Sequence, residues 1–473
     1  MAIVVGDKVP YFKALNSKGE LFESSSIIGK QPLVLYFYPK DDTPGCTAQA
    51  CNFRDNFSEF QSLGAVIIGV SSDDVRTHQR FQNKYQLPFD LLADPTQDLR
   101  KLFGVPTNLF GLLPGRVTYI IDASGTVIGI HDSQLPAKHY TKSIELLKKA
   151  RMKNQFYPLT FTPIMKERIW GGTKLADYLH KSIPYAQTGE SWELSTVPGD
   201  VSVVDAGHWA GTSLQNLLDD YPEAILGTAV HAKFGTQFPL LFKYLDARED
   251  LSIQVHPNDE LAAARHNSFG KTEMWYVMQA DPGSRLLVGF NQNTSADAYV
   301  QALNDKNILS LLDAFPVQQG EVFFLETGTV HAIGAGCLIA EIQQTSDITY
   351  RLYDFDRVDA QGNTRELHLD LALDAINYKK VEAKKRYNIL ANEAANMVDC
   401  PYFTTNHIRL EGQMKHNKNG ESFTVYMCTE GAFSLEVDGL TYNFELGSTV
   451  LVPAVLRHFT LHGSATLLEI QIK

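Results

Sequence analysis

The sequence has few cysteines and no long hydrophobic run. It contains five cysteines in 473 residues, and we expect reduced thiols in a cytoplasmic protein rather than a disulfide framework. No apolar stretch approaches the roughly 20 residues that a membrane-spanning helix needs. The N-terminal segment MAIVVGDKVPYF lacks the basic and apolar regions of a secretory signal. These absences predict a cytoplasmic protein that has no membrane segment.

Positive charge is also scarce. The 42 lysines and arginines are outnumbered by 54 acidic residues, which gives a formal net charge of −12. Nucleic acids and anionic membranes bind basic surfaces, so we expect neither as a partner. A small anionic substrate stays compatible with this charge if a few cations converge locally.

The chain is too long for one hydrophobic core, and two different secondary-structure patterns divide it. Residues 32–150 alternate apolar strands with helical patterns, which predicts an α/β domain over residues 1–150 with a mostly parallel sheet. Within it, RVTYIIDASGTVIGIHD predicts a hairpin that turns at Ser124-Gly125. From residue 157 onward, short strands with turn signals indicate mainly antiparallel β barrels.

A repeated pattern occurs within the β-rich part. GEVFFLETGTVH (Gly320 to His331) and GSTVLVPAVLRH (Gly447 to His458) both contain a glycine, a strand, a turn and a histidine at the same offset. The repeat predicts two related barrels, over residues 157–390 with a helical insert around 295–315, and over residues 391–473. No His-x-His or equivalent carboxylate precedes His458, so we expect the second barrel to be metal-free.

The richest polar cluster belongs to the first barrel. QVHP supplies Gln254 and His256, GKTEMWYV supplies Lys271 and Glu273, and His331 follows later. Residues two apart on a strand share a face, so these side chains can converge. Two imidazoles, a carboxylate and an amide oxygen suit a catalytic zinc ion. The alternative is that each histidine is an ordinary buried residue.

Residues 157–473 resemble type I mannose-6-phosphate isomerases, which are zinc-dependent cupin enzymes. The resemblance is carried by RIWGG, GESWELS, FPLLFKYLDAREDLSIQVHPND, GKTEMWYV, GTVHAIGAG and AEIQQTSDITYRLYDFDR. It implies one zinc ion per chain, and mannose 6-phosphate and fructose 6-phosphate as substrate and product. The implied zinc ligands are Gln254, His256, Glu273 and His331.

The same resemblance implies a set of residues around the substrate. They are Trp170, Lys243 and Ser252 as binding residues, and Lys271, Glu341 and Arg351 as catalytic residues. Moving a proton between two adjacent carbons needs a base and a group that stabilises an oxyanion. A lysine or a glutamate can serve as that base, and the sequence does not decide between them. The alternative function is a sugar-phosphate sensor that binds without turnover.

The stretch DDTPGCTAQAC places Cys46 and Cys51 at the start of a predicted helix. The pair can be a structural staple, half of a metal site or a reactive pair. A lone pair without a second pair or a nearby histidine motif makes a poor zinc site. On one regular helix, five residues give about 7.5 Å of rise and roughly 140° of rotation, which is too far for a resting disulfide. The three other cysteines, Cys337, Cys400 and Cys428, are expected to be plain buried thiols.

Residues 3–150 resemble atypical two-cysteine peroxiredoxins of the bacterioferritin-comigratory, or Q, type, on the motif YPKDDTPGCTAQAC. The resemblance implies that Cys46 is the peroxidatic cysteine and Cys51 the resolving cysteine. Thr43 and Pro44 would shape the pocket of Cys46, and Arg116 in PGRVTYIID would be the family's second-strand arginine, which also belongs to the catalytic set. A helix N-terminus and a guanidinium group stabilise a thiolate, and Thr43 can hydrogen-bond it.

The implied partners of this domain are peroxides and a thioredoxin-like reductant. Its alternative function is a thiol redox module that acts on proteins, but the sequence has no Cys-x-x-Cys motif. The whole chain is therefore predicted to be a bifunctional enzyme, with a thioredoxin-fold peroxidase before a two-barrel zinc isomerase.

Overall fold

The structure, a computed structural model, describes residues 3–108, 113–153, 155–358 and 362–473. The chain forms two compact units, Met1–Gln155 and Phe156–Lys473. The further division of the second unit near residue 390 stays a prediction. Among the described residues, no helix combines the length and the apolar character that crossing a membrane requires.

The first unit alternates strands and helices. Its strands are β1 (Lys13–Asn16), β2 (Leu21–Glu23), β3 (Leu33–Phe37), β4 (Val66–Ser71), β5 (Asp90–Ala93), β6 (Thr107–Asn108), β7 (Leu113–Pro114), β8 (Val117–Ile121) and β9 (Val127–Asp132). Its helices are α1 (Pro44–Asp55), α2 (Phe57–Ser62), α3 (Val75–Tyr85), α4 (Asp98–Phe103) and α5 (Pro136–Lys153), and a 3₁₀ turn covers Ser24–Ser26.

One seven-stranded sheet organises this unit, in the order β2-β1-β5-β4-β3-β8-β9. Strands β3, β4 and β5 pair in parallel, whereas the pairings towards both edges are antiparallel. The prediction of a mostly parallel sheet is therefore wrong, because hairpins close both edges and reverse the chain. One of these is the predicted hairpin of β8 and β9, where Gly125 has a φ of 81°. Separate hydrophobic clusters cover the two faces of the sheet.

The second unit is mainly β structure. Its strands up to residue 385 are β10 (Ile164–Gly172), β11 (Thr188–Leu194), β12 (Thr196–Val197), β13 (Asp200–Val201), β14 (Leu240–Ala247), β15 (Ile253–Val255), β16 (Glu273–Ala280), β17 (Arg285–Phe290), β18 (Leu312–Pro316), β19 (Val322–Leu325), β20 (His331–Ile333), β21 (Cys337–Gln344), β22 (Tyr350–Tyr353) and β23 (Lys384–Lys385). Its helices are α6 (Lys174–Asp177), α7 (Leu214–Asp220), α8 (Pro222–Leu226), α9 (Thr228–Phe234), α10 (Asp259–His266), α11 (Ala296–Asn304) and α12 (Leu369–Leu373).

Two sheets form the first barrel. One has the order β10-β11-β14-β21-β16-β19-β23 and the other the order β18-β17-β20-β15-β22. A single buried cluster joins them, because it contains Trp275 and Leu245 from the first sheet and Leu286 and Ile333 from the second. This packing brings the starts of β16 and β20 close together.

The predicted helical insert is shorter than expected. It consists of α11 and a 3₁₀ turn over Ile308–Leu311, and Leu312–Pro316 then forms β18, which pairs with β17. Within β18, Leu312 is buried and Asp313 is less so, and this position at a sheet edge outweighs the helical pattern of the sequence.

The last barrel contains β24 (Ala394–Asp399), β25 (Thr404–Asn417), β26 (Thr424–Val437), β27 (Leu440–Glu445), β28 (Thr449–Val452) and β29 (His458–Gln471). They form one antiparallel sheet in which β29 lies between β25 and β26. In both copies of the sequence repeat, a short strand precedes a strand that begins at the histidine, as β19 precedes β20 and β28 precedes β29.

Candidate functional sites

Cys46 lies in the first turn of α1, two residues after Pro44. Pro44 starts the helix, where its missing N–H costs no hydrogen bond. The thiol is buried, with 2% of Cys46 exposed, and its Sγ atom accepts from Arg116 Nη2 at 3.4 Å. The first-turn N–H groups and the guanidinium both favour a negative charge at this sulfur.

Arg116 is held against the same helix. Its Nη1 atom donates to the Gln49 side-chain oxygen and to the Gly45 carbonyl. Gly45 also leaves room for this contact, because an added Cβ atom would lie 3.0 Å from the guanidinium. Arg116 is therefore aimed at the sulfur by groups on both sides of Cys46.

The hydroxyl group of Thr43 makes a different bond from the one predicted. It donates to the Lys40 carbonyl at 3.1 Å, and a hydroxyl has a single hydrogen to donate. The predicted bond from Thr43 to a Cys46 thiolate is therefore not formed in this conformation. Thr43 instead closes the turn that leads into α1.

Cys51 lies on the same helix as Cys46 and is partly buried, and all five cysteines of the chain are free thiols. The predicted helix across residues 46–51 is present. Of the other three cysteines, Cys337 and Cys428 are buried and Cys400 is partly buried. Burial raises the pKa of Cys337 to about 11 and that of Cys428 to about 12, so neither is a ready nucleophile at neutral pH.

A second candidate site lies in the first barrel, where His256, Glu273 and His331 converge. They stand at the end of β15, the start of β16 and the start of β20. One ligand atom from each lies within 4.8 Å of the others, and all three residues are buried. His256 Nε2 is 3.6 Å from Glu273 Oε2, and His331 Nε2 is 3.4 Å from Glu273 Oε1.

Backbone carbonyls orient both imidazole rings. His256 Nδ1 lies 2.8 Å from the Ile348 carbonyl, and His331 Nδ1 lies 2.8 Å from the Thr329 carbonyl. Each Nδ1 must carry a hydrogen to make this bond, so each neutral ring directs the lone pair of Nε2 into the cluster. Burial keeps the rings neutral, because it lowers the pKa of His256 far below its ordinary value and that of His331 to about 4.

Glu273 is the group that most needs a further partner. Neither of its carboxylate oxygens accepts a hydrogen bond from the described residues, although Lys271 Nζ lies 3.1 Å from Oε2 as an ion-pair partner. Burial raises the pKa of Glu273 to about 7. A buried carboxylate between two imidazole lone pairs fits a divalent cation, and the set of donor atoms fits zinc.

Gln254 lies beside this cluster. It pairs across the sheet with His331 on one side and Arg351 on the other. Its Nε2 atom is 3.3 Å from His331 Nε2. Rotating the amide by 180° exchanges its oxygen and nitrogen, so Gln254 is placed to present an oxygen to the same point.

A cavity of about 490 Å³ opens beside the cluster. Seven residues singled out from the sequence line it, namely Trp170, Lys243, Ser252, Gln254, Lys271, Glu341 and Arg351. The remaining charged residues of its wall are Glu167, Arg168, Glu190, Asp347 and Arg365. The cavity thus combines convergent cations with a few carboxylates, as a site for a polar anion requires.

Three neighbouring strands form a ladder of polar side chains in this cavity. Glu341 on β21 lies between Lys243 on β14 and Trp275 on β16. Trp275 Nε1 donates to Glu341 Oε2 at 2.9 Å, and Lys243 Nζ lies 3.5 Å from Oε1. Sequence reasoning missed Trp275, although it stands two residues after Glu273 and so on the same face of its strand.

Glu190 is a second residue that sequence reasoning missed. It accepts from Arg168 Nε at 2.7 Å and from Trp192 Nε1 at 2.6 Å, and lies 3.8 Å from Lys243 Nζ. Burial alone would raise the pKa of Glu190, but Lys243 and Arg168 lower it to about 2. Trp192 is thus one of the donors that hold this carboxylate. The available signal was the GESWELS motif, which places Glu190 two residues before Trp192.

Arg351 reaches the cavity from β22. Its Nε donates to Ser252 Oγ at 3.3 Å and its Nη1 to the Glu366 carbonyl at 2.9 Å. Burial lowers its pKa, and the nearby Arg365 lowers it further. Two neighbouring guanidinium groups at a cavity wall favour an anionic ligand.

The last barrel contains a buried carboxylate that the sequence interpretation missed. Glu469 accepts from Lys418 Nζ at 2.7 Å, from Asn406 Nδ2 at 3.0 Å and from the Tyr426 hydroxyl at 3.0 Å. It was missed because it follows His458 instead of preceding it. His458 itself is exposed and bonds to Asn417. That this barrel is metal-free stays a prediction.

Two family models match separate parts of the second unit. Residues 159–279 match the family model Phosphomannose isomerase type I, catalytic domain, and residues 393–472 match Mannose-6-phosphate isomerase, cupin domain. Mannose-6-phosphate isomerase ManA from Bacillus subtilis is 37% identical over 312 residues, which are 65% of this chain and 96% of that protein. The crystal structure of a mannose 6-phosphate isomerase from Bacillus subtilis has a TM-score of 0.62 and 32% identity, and covers 67% of this chain and 100% of its own.

The first unit has relatives of its own. Residues 5–130 match the AhpC/TSA family model. Peroxiredoxin Q, chloroplastic, from Populus jackii is 46% identical over 143 residues, which are 30% of this chain and 67% of that protein. The chain thus spans about two thirds of this relative. Taken with the two sites, these similarities show that the chain belongs to the type I mannose-6-phosphate isomerases and carries an N-terminal peroxiredoxin domain of the AhpC/TSA family.

Proposed function

We propose that the second unit interconverts mannose 6-phosphate and fructose 6-phosphate with one zinc ion per chain. The observation that carries this proposal is the buried cluster of His256, Glu273 and His331, which lies beside a cavity whose wall carries five cations and four carboxylates. Gln254 is the fourth proposed ligand. When bound, zinc supplies positive charge that stabilises an enediolate oxygen.

Within this proposal, the residues of the cavity divide the other tasks. Lys271 and Glu341 are the two candidate bases, since both are buried in the cavity wall. The guanidinium of Arg351 supplies a planar fork for an oxyanion. Trp170, Lys243 and Ser252 border the remaining space and contact the sugar phosphate.

The test is isomerisation of mannose 6-phosphate by the purified chain before and after chelation. We expect about one zinc ion per chain, activity that chelation abolishes and zinc restores, and peroxidase activity that chelation leaves unchanged. Full isomerase activity in rigorously metal-free protein would disprove the metal assignment. Binding of the sugar phosphate without turnover by the zinc-loaded chain would favour the sensor alternative.

We propose further that the first unit reduces hydrogen peroxide and organic hydroperoxides. The Cys46 thiolate attacks a peroxide oxygen and the O–O bond breaks, which leaves a sulfenic acid on Cys46 and releases water or an alcohol. Cys51 then condenses with the sulfenic acid and releases water. A thioredoxin-like dithiol reduces the resulting disulfide and returns both thiols. The contact of Cys46 Sγ with Arg116 carries this proposal.

The test is consumption of peroxide in the presence of thioredoxin and its reductase. Cys46→Ser should abolish it while isomerisation continues. Unchanged consumption in this variant would remove Cys46 from the reaction. Free thiols at all five cysteines also fit a reducing compartment, for which we propose the cytoplasm.

A further inference from the structure

A buried polar network lies directly before the helix that carries Cys46. The loop from Tyr38 to Thr43 joins β3 to α1, and Asp41 and His78 are the buried centre of its contacts. Asp41 Oδ2 lies 2.8 Å from His78 Nδ1, and their side chains are 1% and 0% exposed. Tyr38 donates its hydroxyl hydrogen to the other oxygen of Asp41 at 2.7 Å.

This network fixes the loop to three separate elements. His78 belongs to α3, and its Nε2 lies 3.1 Å from the carbonyl of Leu92 on β5. The N–H group of Asp41 donates to Asp73, which follows β4. Each ring nitrogen of His78 thus meets an acceptor, and the loop cannot shift without breaking several buried bonds.

The position of Cys46 depends on this loop. Thr43 ends the loop directly before α1, and its carbonyl accepts from the N–H of Thr47, on the other side of Cys46. The arginine that contacts Cys46 instead directly precedes β8, in a different part of the fold. The distance between Cys46 Sγ and the Arg116 guanidinium therefore depends on where the loop places the first turn of α1.

We propose that Asp41 and His78 are positioning residues that hold the loop so that Cys46 meets both Arg116 and peroxide. A buried polar pair adds little net stability compared with apolar residues of similar size, and in some proteins it instead specifies a unique geometry. The same pair holds the loop before α1 in place when the first turn of α1 unwinds for disulfide formation. This inference rests on the proposed role of Cys46 as the peroxidatic cysteine.

The variants Asp41→Asn and His78→Asn test the proposal in the full-length chain. Asp42→Asn is the matched control. Asp42 lies in the same loop as Asp41 and pairs with Lys84 of α3, the helix that carries His78, but this pair is exposed. The first measurement is the rate constant at which hydrogen peroxide oxidises Cys46. The second is the rate at which iodoacetamide alkylates Cys46, followed by mass spectrometry of its peptide.

Peroxide needs an aligned pocket, whereas iodoacetamide needs only an accessible thiolate. We expect oxidation to slow by at least about tenfold in both network variants, because misplacement by about 1 Å costs that much or more. Alkylation should stay within about twofold of wild type, and the Asp42→Asn control should match wild type in both reactions. The double variant should be no slower than the slower single variant, since the two residues act as one unit.

Three results would overturn the proposal. Oxidation at the wild-type rate in both variants would show that the network does not position Cys46. An equal loss of oxidation and alkylation would show a general effect on the thiolate. Loss of cooperative melting of the first unit in both variants would give the pair a purely structural role. Failure of the proposed peroxidase function is distinct, because the wild-type chain would then consume no peroxide.

Discussion

The Nη2 atom of Arg116 lies 3.4 Å from the Sγ atom of Cys46, across 70 positions of the sequence. The contact joins the first turn of α1 to the residue directly before β8, so it forms only in the folded unit. Cys51 is only five residues from Cys46 in sequence, but on α1 this spacing places it more than one helical turn along the helix and on a different face. The reduced fold thus pairs Cys46 with a cation and keeps it apart from its proposed thiol partner.

Cys51→Ser should separate the two steps of peroxide reduction. The variant should react once with peroxide, stall at the sulfenic acid and overoxidise, because no thiol is placed to condense with Cys46. Wild-type protein should form an intramolecular Cys46–Cys51 disulfide with loss of the first turn of α1. Mass spectrometry and circular dichroism measure these outcomes. A peroxide-induced bond from Cys46 to a residue other than Cys51 would refute the resolving role.

His331→Asn should remove metal without unfolding the barrel. It deletes the Nε2 atom that faces Glu273, so we expect at least a tenfold loss of zinc affinity and loss of isomerisation. His458→Asn is the matched control, because His458 is the exposed counterpart of His331 in the sequence repeat. Zinc content and turnover of both variants are the measurements. Retention of one tightly held zinc ion by His331→Asn would place the metal elsewhere.

Arg351→Lys should keep the positive charge and lose the planar, two-pronged guanidinium group. A lysine cannot replace the bonds to both Ser252 and the Glu366 carbonyl while presenting a planar edge to an oxyanion. Turnover should fall at least roughly tenfold, with zinc content unchanged. Arg409→Lys, at an exposed position of β25, controls for the loss of a guanidinium. Near-normal turnover would limit Arg351 to a structural role.

Glu190→Gln should change how the second unit responds to acid. Lys243 and Arg168 hold the folded-state pKa of Glu190 at about 2, below its ordinary value of 4.5. A lowered pKa gives stability that is present above about pH 4.5 and is lost as the pH falls towards 2. The full effect is on the order of 3 kcal/mol.

The measurement is the melting of the second unit between pH 6 and pH 3, compared among wild type, Glu190→Gln and the exposed control Glu436→Gln. Wild type and the control should lose more stability on acidification than Glu190→Gln. The same acid response in all three proteins would show that Glu190 is not held ionised.

Contiguous motifs allowed much of this to be predicted from the sequence. The cysteine motif predicted the start of α1, and the repeat predicted β19 and β28, the strands that precede His331 and His458. Each of these predictions depends on residues a few positions apart. The structure also brings His256, Glu273 and His331 together, as the strand pattern of their motifs predicts.

Features that depend on the pairing of distant strands could not be predicted in this way. Glu190 meets Lys243 because β11 pairs with β14, and the sequence does not give that register. The hydroxyl of Thr43 bonds to Lys40 because the loop before α1 turns back on itself. The pattern of residues 312–316 suits a helix as well as a strand, and only the neighbouring β17 decides.

The ladder around Glu341 has a counterpart in the last barrel. Glu469 on β29 lies between Asn406 on β25 and Tyr426 on β26, just as Glu341 lies between Lys243 and Trp275. In the first barrel the carboxylate faces a cavity, whereas in the second three donors occupy its oxygens. The chain thus contains the same three-strand arrangement of a buried glutamate twice. The Glu341 carboxylate borders a cavity, whereas the Glu469 carboxylate is enclosed by its donors. Glu341→Gln and Glu469→Gln, made separately in this chain, would compare the effect of removing the charge from a carboxylate beside a cavity with its effect at an enclosed one.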